Sequence, residues 1–174
     1  MLRLVLPSIK YKKSFLTDFF KNDGEMRWAY SLAGVQKKEI PSRFVEFIKN
    51  LRLQSKGIFA KKGLVPQTVY WLVDRNRFLG RLSIRHYLNP HLRRIGGHIG
   101  YYIRPNQRGK GYGKLILKLG LKKAKLLGIN NVLVTCDITN VKSRKVIESN
   151  GGKLENKVKQ GKGLPEKLRY WMKT

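Results

Sequence analysis

The chain is poor in the residue types that build disulfides and metal sites. Its 174 residues include one cysteine and three histidines. A single cysteine excludes an internal disulfide and fits a reducing cytosol, and so few ligands argue against a structural zinc site. No apolar run is long enough to cross a bilayer, and Met1 to Leu6 is too short for a signal-peptide core. We therefore expect a cytoplasmic protein without a membrane partner and without a metal.

Carboxylates are scarce as well. Ten Asp and Glu stand against 38 Lys and Arg, which gives a formal net charge of +28. A field of this sign attracts polyanions, so charge alone admits nucleic acid or a ribosomal surface as a partner. The plainer interpretation is a lysine-rich solvated surface, because the basic residues are scattered along the chain. Some clustering occurs at Lys114, Lys118, Lys122, Lys123 and Lys125.

The apolar content of 41% and the length predict one folded domain with its own core. Strand-like and helix-like stretches follow one another in an order that predicts a mixed α/β sheet. The unit strand–helix–strand around residue 110 is expected to cross over right-handedly, which makes its two strands parallel. We predict strands over 2–6, 67–73, 78–87, 97–104, 131–136, 153–159 and 168–172, and helices over 14–22, 41–54, 111–127 and 140–150, with Ser14 as the cap of the first helix.

The most informative motif is the segment Arg108-Gly109-Lys110-Gly111-Tyr112-Gly113-Lys114. It follows an apolar strand and a Pro105-Asn106-Gln107 turn, and it opens a helix. A glycine-rich turn that enters a helix leaves several backbone N–H groups unpaired. Together with the helix dipole, those donors form a phosphate site that a large anion can approach closely. The segment therefore predicts a cofactor that carries a pyrophosphate.

Two familiar phosphate loops do not fit this segment. The P-loop requires a glycine five residues before Gly113 and a Ser or Thr after the lysine, where this chain has Arg108 and Leu115. The dinucleotide fingerprint requires a different spacing of its last glycine and an acidic residue about 20 positions later. Both readings are therefore excluded.

Several segments, taken in order, resemble the GNAT superfamily of acetyl-coenzyme A-dependent N-acyltransferases. They are the loop pattern Arg108-x-x-Gly111-x-Gly113, the strand Val132 to Cys136, the helix start Asn140-Val141-Lys142-Ser143 and the helix end Asn150-Gly151-Gly152. The match covers roughly residues 70–154, and the whole chain looks like bacterial acetyltransferases of unassigned substrate. The resemblance implies a single domain over 1–174. It implies a central, mostly antiparallel sheet, a parallel strand pair flanking the cofactor cleft, and helices on both faces. Residues 1–66 would form the acceptor side and 67–174 the cofactor-binding core.

The resemblance also implies acetyl-coenzyme A as the cofactor and assigns residues to it. The loop amides would bind the pyrophosphate, Arg108 would pair with it, and Lys110 or Lys114 would reach the adenosine phosphates. The main chain of the strand before the loop would pair with the pantetheine arm, and one N–H group there would polarise the thioester carbonyl, as in an oxyanion hole. The cofactor-binding set is therefore Tyr101, Tyr102, Ile103, Arg108, Gly109, Lys110, Gly111, Tyr112, Gly113, Lys114, Asn140 and Ser143.

The general base has more than one candidate. His98 lies on the strand that leads to the loop, where several family members carry a glutamate, and an imidazole there can take a proton from an ammonium group. Alternatively, His98 only bonds a neighbour on the sheet. Glu25 follows the first helix, in the region where the family reads its acceptor. Asp137 ends a strand near the expected cofactor thiol, or it caps a turn before Asn140.

The general acid is missing from its usual place. Many family members carry a tyrosine seven residues after the asparagine of the last helix, and that position here is Ile147. Either another group serves, or the thiolate leaves unassisted. Cys136 could be a covalent nucleophile, but a buried structural role is favoured, because a lone cysteine in an apolar strand is usually buried.

The sequence therefore predicts an N-acetyltransferase, a monomer or homodimer, that transfers an acetyl group from acetyl-coenzyme A to an unidentified primary amine. The amine would attack the thioester directly. The alternative is a basic nucleic-acid- or ribosome-associated protein that uses the fold mainly for binding. The charge of +28 and the missing tyrosine favour that alternative.

Overall fold

Two antiparallel β-sheets lie side by side in the chain. The computed structural model describes residues 1–20, 33–58 and 64–174. The first sheet has the strand order β1-β2-β3-β4 and the second has the order β5-β7-β6. The strands are β1 (Leu2–Val5), β2 (Gln67–Asp74), β3 (Arg77–Arg85), β4 (Ile99–Ile103), β5 (Asn131–Asp137), β6 (Lys153–Val158) and β7 (Lys167–Lys173). The helices of the described ranges are α1 (Lys12–Phe19), α2 (Phe44–Leu53), α3 (Tyr112–Leu126) and α4 (Val141–Glu148).

An aromatic core joins α1 and α2 to one face of the first sheet. Phe15 of α1 stacks on Trp71 of β2 with ring centroids 4.8 Å apart, and it also contacts Phe44, Phe47 and Phe78. All five rings are buried. Aromatic side chains bury large areas and favour offset-stacked or edge-to-face pairs, so this cluster fixes both helices on the sheet.

The opposite face of the first sheet is covered by α3. Its apolar stripe, which includes Ile116, Leu117 and Leu121, is buried against β3, β4 and the second sheet. A Cβ atom at Gly120 would lie 2.4 Å from Cδ1 of Leu82, so α3 lies directly on β3. This close contact sets the position at which α3 begins and therefore the position of the loop before it.

The predicted elements are confirmed within the described residues, with shifts of a few residues at their ends. Positions 21 and 22 of the first predicted helix lie outside those residues. The predicted cap of α1 is wrong. Ser14 lies inside the helix, and its hydroxyl accepts a hydrogen bond from the N–H group of Phe78 at 3.0 Å. The serine that caps is Ser8, which accepts from the N–H group of Lys10 ahead of the helix. A short helical turn precedes α1 and moves its start towards the N-terminus.

No ladder joins β4 to β5, the two strands that were predicted to run parallel on either side of a cleft. All five ladders among the described strands are antiparallel. The two strands meet only at their starts, where the N–H group of His98 donates to the carbonyl of Leu133 at 2.7 Å. Beyond that bond no ladder joins them, so the two sheets separate between β4 and β5. A gap is left along the outer edge of β4.

Candidate cofactor cleft

The loop between β4 and α3 adopts the conformation that its glycines predict. A turn over Pro105–Gln107 leads into it, and α3 starts at Tyr112. Gly109 and Gly111 have φ angles of +80° and +77°, which side chains other than glycine rarely adopt. A Cβ atom at either position would meet nothing within 4 Å. The glycines are therefore required by the backbone angles, and the space above both remains open.

The main-chain N–H groups of this loop are not used within the described part of the chain. None of the six successive groups from Gly109 to Lys114 donates a hydrogen bond of ordinary geometry to a described residue. The first helical bond of α3 is donated by Leu115 to the carbonyl of Gly111 at 3.1 Å. Unpaired N–H groups at a helix start, with the positive end of its dipole, bind phosphate groups. The loop therefore fits a diphosphate.

Arg108 is folded back against β4. Its Nε donates to the carbonyl of Ile103 at 3.0 Å, and its guanidinium carbon lies 5.8 Å from the centre of the Tyr102 ring. Lys110 donates from Nζ to Gln107 at 3.3 Å. These contacts hold the loop on the end of β4. The pairing of Arg108 and Lys110 with phosphates stays a prediction.

The hydrogen-bond alternation of β4 determines which of its amides face the gap. Arg85 donates its N–H to His98, and Arg104 donates its N–H to Leu79, across the β3–β4 ladder. In an antiparallel ladder such bonded pairs occur at every second residue, so Tyr102 directs its N–H and carbonyl towards β3. The carbonyl of Tyr102 lies 2.4 Å from a Cβ atom built on Gly80, which agrees with this direction.

Tyr101 and Ile103 consequently direct their main-chain groups towards the gap between the sheets. The Ile103 carbonyl is taken by Arg108, which leaves the N–H and carbonyl of Tyr101 and the N–H of Ile103 facing the gap. An extended ligand that lies there can pair with this edge as an added strand. Of the three residues predicted to pair with the pantetheine arm through their main chain, only Tyr101 and Ile103 can do so, because the main-chain groups of Tyr102 face β3.

The side chain of Tyr101 crosses to the start of α4. Its hydroxyl lies 2.8 Å from the Oγ of Ser143. Asn140 caps this helix, since its Oδ1 accepts from the N–H group of Ser143 at 3.0 Å. Burial is the main cause that raises the pKa of Tyr101 to about 12, against the lowering effect of the bond to Ser143. The phenol therefore keeps its proton at neutral pH.

The side chain of Tyr102 points to the opposite face and joins a buried ion pair. Its hydroxyl donates to Oδ2 of Asp18 at 3.0 Å. The Nε of Arg104 lies 3.0 Å from Oδ1 of the same carboxylate, and Arg104 also donates to the carbonyl of Phe78. Asp18 is 2% exposed. This network ties α1 to the end of β4 and supports the loop that follows it.

His98 holds the two sheets together. Its side-chain Nδ1 accepts a hydrogen bond from the main-chain N–H group of Leu133 at 2.9 Å. The main-chain N–H group of His98 donates to the carbonyl of Leu133. Burial, with Arg93 and Arg85 nearby, lowers the pKa of His98 to about 4. A base works best with a pKa near the working pH. The base role stays a prediction, but the geometry favours the alternative of a residue that joins neighbouring strands.

Stability should depend on pH through His98. Its pKa is lower in the folded chain than the ordinary value of 6.5, so the unfolded chain binds more protons between pH 6.5 and 4. We expect up to about 3 kcal/mol of stability, present above pH 6.5, to be lost as the pH falls through this window. His98→Gln keeps an acceptor for Leu133 but cannot titrate, and it should flatten the dependence. Urea unfolding from pH 4 to 7 measures the slope.

His91→Gln is the control, because His91 is exposed and should leave the slope unchanged. An equal slope in His98→Gln and the unsubstituted chain would refute the strand-joining role. In the same variants, loss of acetyl transfer with retained stability would instead support His98 as the base.

The other candidate catalytic residues differ in how well their positions suit catalysis. Glu25 lies outside the described residues. Asp137 is bound by Lys167 at 2.8 Å and by the amide of Gln160 at 2.9 Å, so its carboxylate already holds the β6–β7 connection. Cys136 is buried, and burial is the main cause that raises the pKa of its thiol to about 11. A thiol with that pKa is a poor nucleophile at neutral pH.

A cavity of about 400 Å³ lies where β3 ends, at the other end of β4 from the loop. Arg85 lies in its wall and donates to the carbonyls of Gly96 and Gly97. Burial lowers the pKa of Arg85. The other lining residues are Leu64, Val65, Gln67, Asn89, His91 and Leu92. The cavity therefore lies near the end of β4 that is opposite the loop.

No helix in the described ranges is long and apolar enough to cross a bilayer. Within residues 1–20, 33–58 and 64–174, no group of three or more His, Cys, Asp or Glu side chains is placed to hold a metal ion.

The sequence also matches a family model, the acetyltransferase (GNAT) domain, over residues 3–153. The chain belongs to the GNAT acetyltransferase family. It is an acetyl-coenzyme A-dependent N-acetyltransferase. The unpaired N–H groups of the loop and the unpaired edge of β4 fit the diphosphate and the extended arm of that acetyl donor. No curated protein matches the chain in sequence.

Solved structures of acetyltransferases share the GNAT fold with this chain. The microcin C7 self-immunity acetyltransferase MccE, in complex with acetyl-CoA and AMP, is 17% identical with a TM-score of 0.67, over 99% of this chain and 92% of that one. Mycobacterium smegmatis RimJ, in complex with CoA-disulfide, is 16% identical with a TM-score of 0.71, over 99% and 82%. A Salmonella typhimurium acetyl transferase that modifies the N-terminal serine of ribosomal protein L7/L12 is 18% identical with a TM-score of 0.66, over 99% and 95%.

Sequence reasoning missed two features of the cleft. The first is the buried network of Asp18, Tyr102 and Arg104. The sequence held a usable signal, because Asp18 lies three residues after Phe15 and so on the same face of the predicted helix. The second is the contact of the Tyr101 phenol with Ser143. No local pattern could indicate it, since the two residues are 42 positions apart.

Proposed function

We propose that this GNAT acetyltransferase transfers the acetyl group to a primary amine of a polypeptide, by direct attack of the amine on the thioester. The observation that carries the proposal is the open edge of β4 next to the open loop. When bound, acetyl-CoA supplies an acyl carbon activated by its bond to sulfur. The unpaired loop amides hold its diphosphate, and the edge of β4 pairs with its extended arm.

The N–H group of Tyr101 is proposed to polarise the thioester carbonyl. It faces the gap, and a preorganised N–H aimed at a developing negative charge lowers the barrier for acyl transfer. The amine nitrogen then bonds to the acyl carbon, and the C–S bond breaks with its electron pair on sulfur. The nitrogen loses a proton and the sulfur gains one, so the products are an amide and a free thiol.

The Tyr101–Ser143 pair is proposed to stabilise the departing sulfur. The position where the family carries a tyrosine is Ile147, which is fully buried and has no proton to give. Tyr101 brings a protonated phenol to the same helix, α4, from the strand that borders the gap. Ser143 Oγ and the phenol together offer hydroxyl donors at the wall of the cleft.

Tyr101→Phe should lower kcat by about tenfold to 100-fold, because assistance to a leaving group contributes on that scale or above. The KM for acetyl-CoA should change much less, since the main chain of residue 101 is retained. The rate of acetyl transfer is measured from the free thiol that is released, with a thiol reagent. Tyr102→Phe is the matched control for kcat, because its phenol lies on the other face of β4; loss of its bond to Asp18 is expected to affect stability and coenzyme A affinity instead. An unchanged kcat in Tyr101→Phe, or an equal loss in Tyr102→Phe, would refute the role.

The acceptor is proposed to approach from the end of β4 where the cavity lies, and two residues of the predicted acceptor region 1–66, Leu64 and Val65, line that cavity. A polypeptide amine is favoured because the structural relatives include enzymes described as acting on ribosomal proteins. Thiol release should be compared between ribosomal proteins and small amines of similar basicity. Faster release with small amines alone would exclude a polypeptide acceptor.

Titration with coenzyme A tests the donor site itself, and no heat at millimolar ligand would remove the basis of the proposal.

The second candidate function is binding to nucleic acid or to the ribosome with weak catalysis. Ile147 in place of the usual tyrosine and the net charge of +28 favour it. Coenzyme A binding without thiol release for any acceptor would support this candidate. Thiol release at rates typical of enzymes, about 1 to 1,000 per second, would exclude it.

A further inference from the structure

The outer face of α3 carries a row of lysines. Lys114, Lys118, Lys122 and Lys125 are all exposed. Their spacing of four, four and three residues places them on one face of the helix, over about 16 Å at 1.5 Å per residue. The helix contains no acidic residue. The fifth lysine, Lys123, is turned inward, with its Nζ 5.7 Å from the centre of the Tyr70 ring.

No carboxylate of the described residues neutralises this row. Of the ten acidic residues, Asp23 and Glu25 lie outside the described ranges. Each of the other eight lies within 4.0 Å of a basic group, and none of those groups belongs to α3. The nearest helix, α4, has one acid, Glu148, which is bound by Arg144 and by Tyr170.

Folding alone does not account for the row. Like charges four residues apart on a helix repel and destabilise it, and the apolar stripe that holds α3 on the sheet lies on its other side. An anionic partner would remove the repulsion. The regular spacing on a rigid helix suits a partner that is itself a continuous line of negative charge.

We propose that the row from Lys114 to Lys125 binds the phosphate backbone of folded RNA. Between these lysines no aromatic and no exposed apolar side chain lies on the helix. The row therefore lacks the stacking platforms of single-strand binders and the apolar face that inserts into membranes. Lysine contacts to phosphate release counterions, which makes such binding strong and dependent on salt. The choice of RNA over DNA rests on the proposed function, in which the acceptor is a polypeptide and ribosomal proteins, which lie on RNA, are the acceptors to be tested.

The test is a triple variant, Lys118→Gln, Lys122→Gln and Lys125→Gln, which leaves Lys114 at the cofactor loop. Glutamine keeps a good helix propensity. Binding of the full chain to transfer RNA is measured by fluorescence anisotropy from 50 to 300 mM salt. We expect affinity near 150 mM salt to fall by about tenfold or more, and the slope of log K against log salt to become less negative by up to about three. Coenzyme A titration and circular dichroism should be unchanged.

The matched control removes the same charge from the other face of the sheet, with Lys13→Gln, Lys38→Gln and Lys49→Gln. All three control lysines are exposed. A loss below about twofold in the control supports the row as a site. Equal losses in the two triple variants, or affinity of the unsubstituted chain for polyglutamate or anionic vesicles equal to that for RNA, would overturn the proposal. A larger loss on duplex DNA than on RNA would overturn the assignment to RNA. If the unsubstituted chain does not transfer acetyl groups but the triple variant of the row still loses RNA affinity, the proposed function is refuted and the RNA proposal is not.

Discussion

Gly111→Val is expected to weaken coenzyme A binding by about 100-fold, equivalent to about 3 kcal/mol. Gly111 has a φ of +77° at the start of α3. A β-branched residue is a genuine outlier there, so the loop has to rearrange and its N–H groups no longer converge on one point. Isothermal titration with coenzyme A measures the change in the dissociation constant.

Gly128→Val is the matched control for this variant. Gly128 follows α3 with the same φ of +77°, and it also has nothing within 4 Å of a built Cβ atom. Its backbone strain should therefore be similar, but it lies at the opposite end of the helix from the loop. If both variants bind coenzyme A equally well, or both lose affinity equally, the loop geometry is not what captures the diphosphate.

Asp18→Ala is expected to lower the free energy of unfolding by about 3 to 5 kcal/mol, because removal of one partner leaves a buried charge uncompensated. Arg104 would lose its carboxylate, and the phenol of Tyr102 would lose its acceptor. Both residues lie at the end of β4 that leads to the loop, so coenzyme A binding should weaken as well. Urea unfolding and coenzyme A titration measure the two effects.

Asp18→Asn separates charge from hydrogen bonding at this position. It keeps an oxygen for Tyr102 but removes the charge that pairs with Arg104, so its loss should be intermediate. Glu46→Ala removes an exposed carboxylate that pairs with Arg43 at the surface, and such pairs contribute at most about 1 kcal/mol. A loss in Asp18→Ala no larger than in Glu46→Ala would show that the buried network does not support the fold.

The elements near the loop could be predicted from sequence because their signals are local. The alternation of strands, the apolar spacing of α3 and the glycines of the loop act over a few residues. A left-handed φ at Gly109 and Gly111 is a property of the backbone at those positions, and the structure has it. Ser14 shows the limit of local signals, since a hydroxyl placed to cap a helix is used instead by Phe78, 64 positions away.

The roles of His98 and Tyr101 could not be predicted in the same way. A histidine on a strand before the loop has the same sequence pattern whether it titrates or bonds a neighbour. Its partner, Leu133, is 35 residues away, and burial between the sheets sets its low pKa. The direction of each β4 amide likewise depends on the register with β3, which sequence periodicity does not determine.

The amino-acid sequence by itself determined the order of the elements, the family resemblance and the left-handed glycine positions of the loop, because each depends on neighbouring residues and on local backbone preferences. Tertiary structure alone decided that β4 and β5 separate, that Tyr101 rather than Tyr102 offers its amide to the gap, and that the phenol of Tyr101 reaches Ser143. The physical reason is that hydrogen bonds between distant segments depend on register and sheet geometry. Those are set by the packing of α3 on β3 and of the aromatic core on the other face.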